Sequence, residues 1–306
     1  MPRLPISSFP ARLYHASAVV LWAGCLAGGW VVATRAVQEP VARFSTGVQL
    51  VEVYATVTDS VGGLVTGLQQ SDFEIDENEK AQDISTFAAG EFPLTVVLGV
   101  DRSWSMAGEP LRLAKEASKA FLGQLKPVDR SMVVAIGSEA DVIAPLSHDH
   151  AQQMRALAVL DPWSTTALHD AIIATLDRLE SEKGRLALVV FSDGLDRYSS
   201  APASRVVERA RQSHALIYPI TLGRTRPPLA VELATVTGGR SFLLRDARGL
   251  DDTFATIARE LRYQYLLGYA PSDPSQPGDR EWRSIRVRVK GRTGLRVRAR
   301  DGYMTE

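Results

Sequence analysis

Residues 94–105 read LTVVLGVDRSWS, seven uncharged residues followed at once by an acid, Asp101, and two hydroxyls at alternate positions, Ser103 and Ser105. An apolar run this short and this rich in valine reads as a strand buried on both faces. Similar runs recur at 131–136, 140–144, 186–192 and 215–221, with a last one at 240–244. Between them, residues 111–125, 150–160, 167–179, 204–212 and 229–236 carry helical spacing. In the first of these, Leu113, Ala117, Ala120, Phe121 and Leu125 recur at three and four residues. Buried strands alternating with amphipathic helices predict an α/β domain, a doubly wound and mostly parallel sheet with helices on both faces.

The flanks have a different rhythm. Residues 48–57 alternate and are β-branched, residues 59–63 (DSVGG) form a turn, and 73–76 and 83–87 are predicted strands joined across 77–80. That unit, about 45 residues long, is too small to be comfortable alone. Beyond a final helix at 251–261, residues 263–269, 282–289 and 295–300 return to strand character. The two flanks together predict a small β-sandwich-like region carrying the α/β domain as an insertion. The expected divisions are a targeting segment at 1–36, a β segment at 46–90, the α/β domain at 91–262 and a second β segment at 263–306 that pairs with the first.

Arg3 and Arg12 precede an uncharged stretch at 16–33 that Arg35 closes. A basic region followed by an apolar one marks export. Three readings stay open: a cleaved signal, an uncleaved membrane anchor, or a lipid attached at Cys25 within Leu21-Trp22-Ala23-Gly24-Cys25. Each places the rest of the chain outside the cytoplasm, as a periplasmic, membrane-anchored or secreted protein. The 306 residues carry 35 Lys+Arg against 35 Asp+Glu, a balance that argues against nonspecific nucleic-acid binding. The single cysteine excludes an internal disulfide and a Cys-rich zinc site.

In a doubly wound sheet, ligands bind at the carboxyl ends of the strands. There the Asp101-x-Ser103-x-Ser105 loop offers three small oxygen groups, which is hard-cation chemistry of the Mg²⁺ kind. A second loop, 163–170, offers hydroxyls before a helix, and a third, Phe191-Ser192-Asp193-Gly194, closes another buried strand with a carboxylate. With these loops in view, residues 94 to about 244 resemble a von Willebrand factor A domain. Asp101, Ser103, Ser105, Thr166 and Asp193 match that family's metal-ion-dependent adhesion site in order and spacing. The wider chain resembles bacterial VWFA-related proteins abundant in acidobacteria, through Val57-Thr58-Asp59, Asp72-Phe73-Glu74-Ile75, Tyr265-x-Leu267-Gly268-Tyr269 and Arg298-x-Arg300-Asp301-Gly302-Tyr303. The chain departs from the family at Ser164-Thr165, where two glycines usually precede the threonine.

The resemblance implies a bound Mg²⁺ or Mn²⁺. Ser103 and Ser105 would bind directly, Thr166 directly in the ligand-occupied state, and Asp101 and Asp193 mainly through water. It also implies a protein partner whose Asp or Glu carboxylate completes the coordination. Neutral hydroxyls leave the cation's charge poorly compensated, which suits capture of an outside carboxylate. The expected function is therefore metal-dependent protein binding, in adhesion or envelope scaffolding, without catalysis. A structural module with a vestigial site and a metal-dependent hydrolase are the alternatives. Against the latter, the sequence has no nucleophile elbow, P-loop, H-E-x-x-H or G-x-G-x-x-G at a strand-to-helix turn. His148-Asp149-His150 reads as a turn or helix cap, and His169 as packing. Nine basic residues between Arg280 and Arg300 read as the exposed face of an amphipathic sheet, with an anionic envelope surface as a partner for them.

Overall fold

The computed structural model describes residues 50–275, 278 and 280–305. Residues 1–36, the segment expected to be a targeting signal, with Cys25, lie outside the described residues. Among those residues no helix is long and apolar enough to cross a membrane.

The described residues begin with four strands, β1 (Val51–Thr58), β2 (Phe73–Glu77), β3 (Lys80–Gln82) and β4 (Ile84–Ala89). The α/β layer follows as β5 (Leu94–Asp101), α1 (Glu109–Leu122), β6 (Arg130–Ile136), β7 (Ala140–Ser147), α2 (His150–Ala158), α3 (Leu168–Arg178), β8 (Arg185–Ser192), α4 (Ala203–Gln212), β9 (Ala215–Leu222), α5 (Pro228–Thr237), β10 (Phe242–Leu244) and α6 (Leu250–Arg262). Four strands close the chain, β11 (Tyr265–Tyr269), β12 (Trp282–Val289), β13 (Arg296–Arg298) and β14 (Gly302–Met304).

The central sheet has the order β10-β9-β8-β5-β6-β7. Every neighbouring pair is parallel except β6 and β7, which form an antiparallel hairpin. β5 and β8 are buried along their whole length because helices cover both faces. On one face Val96, Leu98 and Val100 pack with Phe121 of α1 and Phe254 of α6. On the other, Val97 and Val134 pack with Ile172 of α3, Val206 of α4 and Leu233 of α5.

The flanking strands form two further sheets, β13-β1-β11-β4 and β14-β12-β2-β3. Each mixes strands from before and after the α/β layer, and the two share one core of Val53, Ala55, Phe73, Ile75, Leu267, Tyr269 and Ile285. Where one strand at 83–87 was expected, the chain makes two. β2 and β3 form a hairpin through Asn78 (φ 48°) and Glu79 (φ 66°), the left-handed pair that a tight two-residue turn demands. The chain then crosses to the other sheet, where β4 pairs with β11. A buried Glu77 holds the sandwich together: its carboxylate accepts from Arg283 Nη1 at 2.9 Å, Tyr269 OH at 2.7 Å and Tyr303 OH at 2.9 Å. Burial, with Glu77 beside them, raises both phenols above their ordinary pKa, so they remain donors.

The α/β layer is locked to these strands at its amino edge. Glu260 of α6, almost wholly buried, pairs with Arg298 of β13 at 2.6 Å and with Arg240 at 2.9 Å. Arg185, at the start of β8, donates to the carbonyls of Leu261 and Phe92. The backbone also comes close where the end of α5 meets β9. Gly238 ends α5 in the left-handed conformation (φ 80°), and a Cβ on Gly239 would lie 1.9 Å from the Ile217 carbonyl oxygen. Replacing Gly239 by alanine is expected to cost about 3 kcal/mol as overpacking that backbone cannot relieve. Thermal melts of Gly239→Ala beside wild type check this, and an unchanged melting temperature would contradict the packing described.

Candidate functional site

Because β5 and β8 are adjacent and parallel, with Val100 opposite Phe191, their carboxyl ends place Asp101 and Ser192 side by side. Asp101 is 0% exposed. Its Oδ1 accepts the Ser103 backbone N–H at 2.9 Å and its Oδ2 accepts the Ser192 hydroxyl at 2.7 Å. Residues Trp104–Met106 then make one 3₁₀ turn. That turn brings Ser103 Oγ within 3.1 Å of Ser105 Oγ, the first hydroxyl buried and the second exposed. Desolvation raises the pKa of Asp101, the hydrogen bonds from Ser192 and Ser103 offset part of that, and the nearby negative charge of Asp193 adds to it. Among the described residues no Lys, Arg or His side chain pairs with Asp101.

Backbone bonds tie the second loop to the first. The Arg102 carbonyl accepts Trp163 N–H at 2.7 Å, Trp104 N–H donates to the Ser164 carbonyl at 3.2 Å, and Ala167 N–H donates to Gly137 at 2.7 Å. Thr166 is buried, and its hydroxyl takes no hydrogen bond among the described residues. Its carbonyl accepts the N–H groups of Arg197 and Tyr198 at 3.0 and 3.2 Å, which joins the third loop to the second. Asp193, half-buried, accepts Leu195 N–H at 3.0 Å through one oxygen and no other hydrogen bond among the described residues. All five residues singled out by the sequence thus sit at one edge of the sheet, Asp101 on the last residue of β5 and the other four on the loops there. Asp101, Ser103 and Ser105 are linked by hydrogen bonds, Asp193 reaches Asp101 through charge, and Thr166 through backbone ties alone. Two carboxylates and three hydroxyls are oxygen donors of the kind a hard divalent cation takes. Among the described residues no cluster of three or more His, Cys, Asp or Glu side chains offers an alternative metal centre.

Several supporting residues escape a reading of the sequence. Ser192 holds Asp101 across 91 positions of chain, and its only signal was a hydroxyl ending an otherwise apolar strand. The long loop after β8 is strapped to the start of α3. Asp196 accepts His169 N–H at 3.2 Å and the Ser199 hydroxyl at 2.6 Å, while Asp170 accepts Ser200 N–H at 2.7 Å and Ala201 N–H at 2.9 Å. His169 Nδ1 lies 2.9 Å from the Ala201 carbonyl, so this ring staples the strap. His148 and His150 sit far from this edge, where they bond the Asp129 carbonyl and the Ser131 hydroxyl.

The C-terminal basic residues correct the expectation of a uniformly exposed face. Arg283 is buried against Glu77, Arg298 pairs with Glu260, and Arg288 pairs with Asp76 at 2.9 Å. Arg286 and Arg296 stay exposed. Burial of Arg283 follows from the inward register of β12 at that position, in line with Ile285.

A family model for the von Willebrand factor type A domain matches residues 96–195, a span that contains all five residues above. The chain contains a von Willebrand factor type A domain. The human protein named calcium-activated chloride channel regulator 4 is 27% identical over 176 residues, which cover 53% of this chain and 18% of that protein. The chain therefore spans about a fifth of that relative's length. Among solved structures, von Willebrand factor type A from Catenulispora acidiphila superposes with a TM-score of 0.52 at 16% identity, covering 83% of this chain and 73% of that one. Proximal thread matrix protein 1 from the mussel byssus superposes with a TM-score of 0.50 at 15% identity, covering 61% and 51%. At these identities the two superpositions establish the fold of the A domain.

Ser164 stands where the family usually has glycine, and it adopts φ 65°. A serine tolerates that left-handed conformation; a β-branched residue does not. Ser164→Val is expected to destabilise the domain by about 2 kcal/mol, whereas Ser164→Gly should stay close to wild type. Denaturant melts of the two variants distinguish these outcomes.

Proposed function

We propose that this protein is a non-catalytic, extracytoplasmic protein-binding module, serving adhesion or envelope scaffolding through a divalent cation, Mg²⁺ or Mn²⁺, at the A-domain edge. The observation that carries this reading is Asp101, a fully buried carboxylate with no basic partner among the described residues and a second carboxylate close by. Buried charges are ordinarily paired or bound to metal. A cation here would be held by Ser103, Ser105 and Thr166, with Asp101 and Asp193 balancing its charge. It would supply a Lewis-acidic position open to solvent on the side of the exposed Ser105. With mostly neutral donors around it, that position attracts an Asp or Glu of a partner protein.

Two relatives bear on this. One is named a channel regulator and the other a thread matrix protein. The extracytoplasmic placement rests on the basic and apolar pattern of residues 1–36. A hydrolase is the weaker reading. The Ser–His contact at Ser131 and His150 lies at the opposite edge, with Ser131 wholly buried and the second ring nitrogen 3.2 Å from the Lys126 carbonyl. The test is calorimetric titration of Mg²⁺ and Mn²⁺ into the full chain, wild type beside Asp101→Ala and Ser103→Ala. Binding that weakens at least about tenfold in each variant, the scale of 1.4 kcal/mol per lost ligand, supports the reading. Equal binding in wild type and both variants would sink it.

A further inference from the structure

The same edge carries an asymmetric surface, and from it we infer the chemistry of the partner: an acidic protein segment in which an aromatic or aliphatic residue flanks the cation-binding carboxylate on one side and further acidic residues flank it on the other. The inference rests on the cation reading above and adds to it. Trp104 is 67% exposed and Trp163 60%, both large for tryptophan in a folded domain. Their backbones are fixed side by side by the two bonds that join Arg102 to Trp163 and Trp104 to Ser164. Neither indole stacks on another ring among the described residues. Leu195, 48% exposed, and Tyr198, 66% exposed, continue the apolar rim along the third loop. Four large exposed side chains thus stand on the three loops at the edge that carries the five candidate residues, and aromatic anchors of this type dominate protein interfaces.

Charge separates the two sides. Toward β6 and β7 lie the tryptophans with Glu139, Asp141 and Asp161, and Arg102 is already paired with Asp141 at 2.6 Å. Toward β9 and β10 lie Arg224, Arg226 and Arg245, with Arg197 between. All four are exposed and form no ion pair among the described residues. A bond from Gly223 N–H to the Leu244 carbonyl at 2.8 Å holds the first three on adjoining loops. Unpaired arginines beyond a cation favour a run of acidic side chains, which steers association and sets its direction. A partner laid across the edge therefore places its apolar residue over Trp104 and Trp163 and its acidic run over the arginines.

A displayed library of random short peptides, selected on the immobilised full chain with Mg²⁺ and eluted with chelator, tests this. The expected winners carry an apolar or aromatic residue beside an acidic run. Their affinity is expected to fall about tenfold in Trp104→Ala/Trp163→Ala. In Arg224→Ala/Arg226→Ala it is expected to fall about tenfold at low salt and to lose its salt dependence. Calorimetric Mg²⁺ binding by the same variants, expected to be unchanged, shows that they remain folded. Enrichment of neutral peptides, no enrichment over empty beads, or chelator-eluted peptides that bind both double variants like wild type would overturn this inference and leave the cation reading standing. Peptides that chelator does not release, and that bind Asp101→Ala equally well, would remove the cation reading itself. Retention on phosphatidylglycerol vesicles lost in Arg224→Ala/Arg226→Ala, with no peptide selected, would assign the arginines to lipid and overturn the acidic-peptide partner.

Discussion

A carboxylate with no exposure, at the end of the central strand of a six-stranded sheet, is the constraint around which this A domain is arranged. Removing a charge from water is costly, and Asp101 recovers only part of that cost from one hydroxyl and one backbone N–H. Its pKa rises in consequence, and Asp193 pushes it further the same way. The surrounding loops are shaped by holding that group. The turn at Trp104–Met106 puts two serine hydroxyls in contact, the Ser164 backbone takes a left-handed conformation and its carbonyl accepts Trp104 N–H, and the Thr166 carbonyl draws the long β8–α4 loop across. A cation at this position would compensate the charge of Asp101, which is the reason for proposing one there.

The rest of the molecule keeps that edge rigid from the far side. Arg185 and Glu260 tie the amino edge of the layer to α6 and to β13. The sandwich formed from the strands before and after the α/β layer closes around Glu77. Neither set of bonds touches the candidate site. Together they anchor the strands whose other ends carry it, which leaves the loops free to be long and rich in exposed aromatic side chains.

Much of this was legible in the residues. The doubly wound class followed from 94–100, 131–136, 186–192 and 215–221, because strands buried on both faces must be apolar throughout. The alternation of Asp101, Ser103 and Ser105 marked a loop at a carboxyl edge. What stayed hidden depends on partners distant in sequence. Ser192 reads as an ordinary strand end until β8 lies beside β5. Asp170 and Asp196 read as solvated acids until the strap folds back on α3. Arg283, Arg288 and Arg298 look like one basic face until Glu77, Asp76 and Glu260 meet them. The split of 80–89 into β3 and β4 was equally hidden, since a switch between sheets leaves no mark on local alternation.

The most direct test of a cation at Asp101 is a crystal structure of the protein grown with Mn²⁺, with data collected to reveal anomalous scattering from the metal. An anomalous peak about 2–2.5 Å from the hydroxyls of Ser103 and Ser105, the ordinary range for hard-cation oxygen ligands, and closed on its other side by Thr166 or water, is the expected result. A crystal with the loops ordered as described, no anomalous peak among them, and Asp101 still bonded only to Ser103 and Ser192 would contradict it.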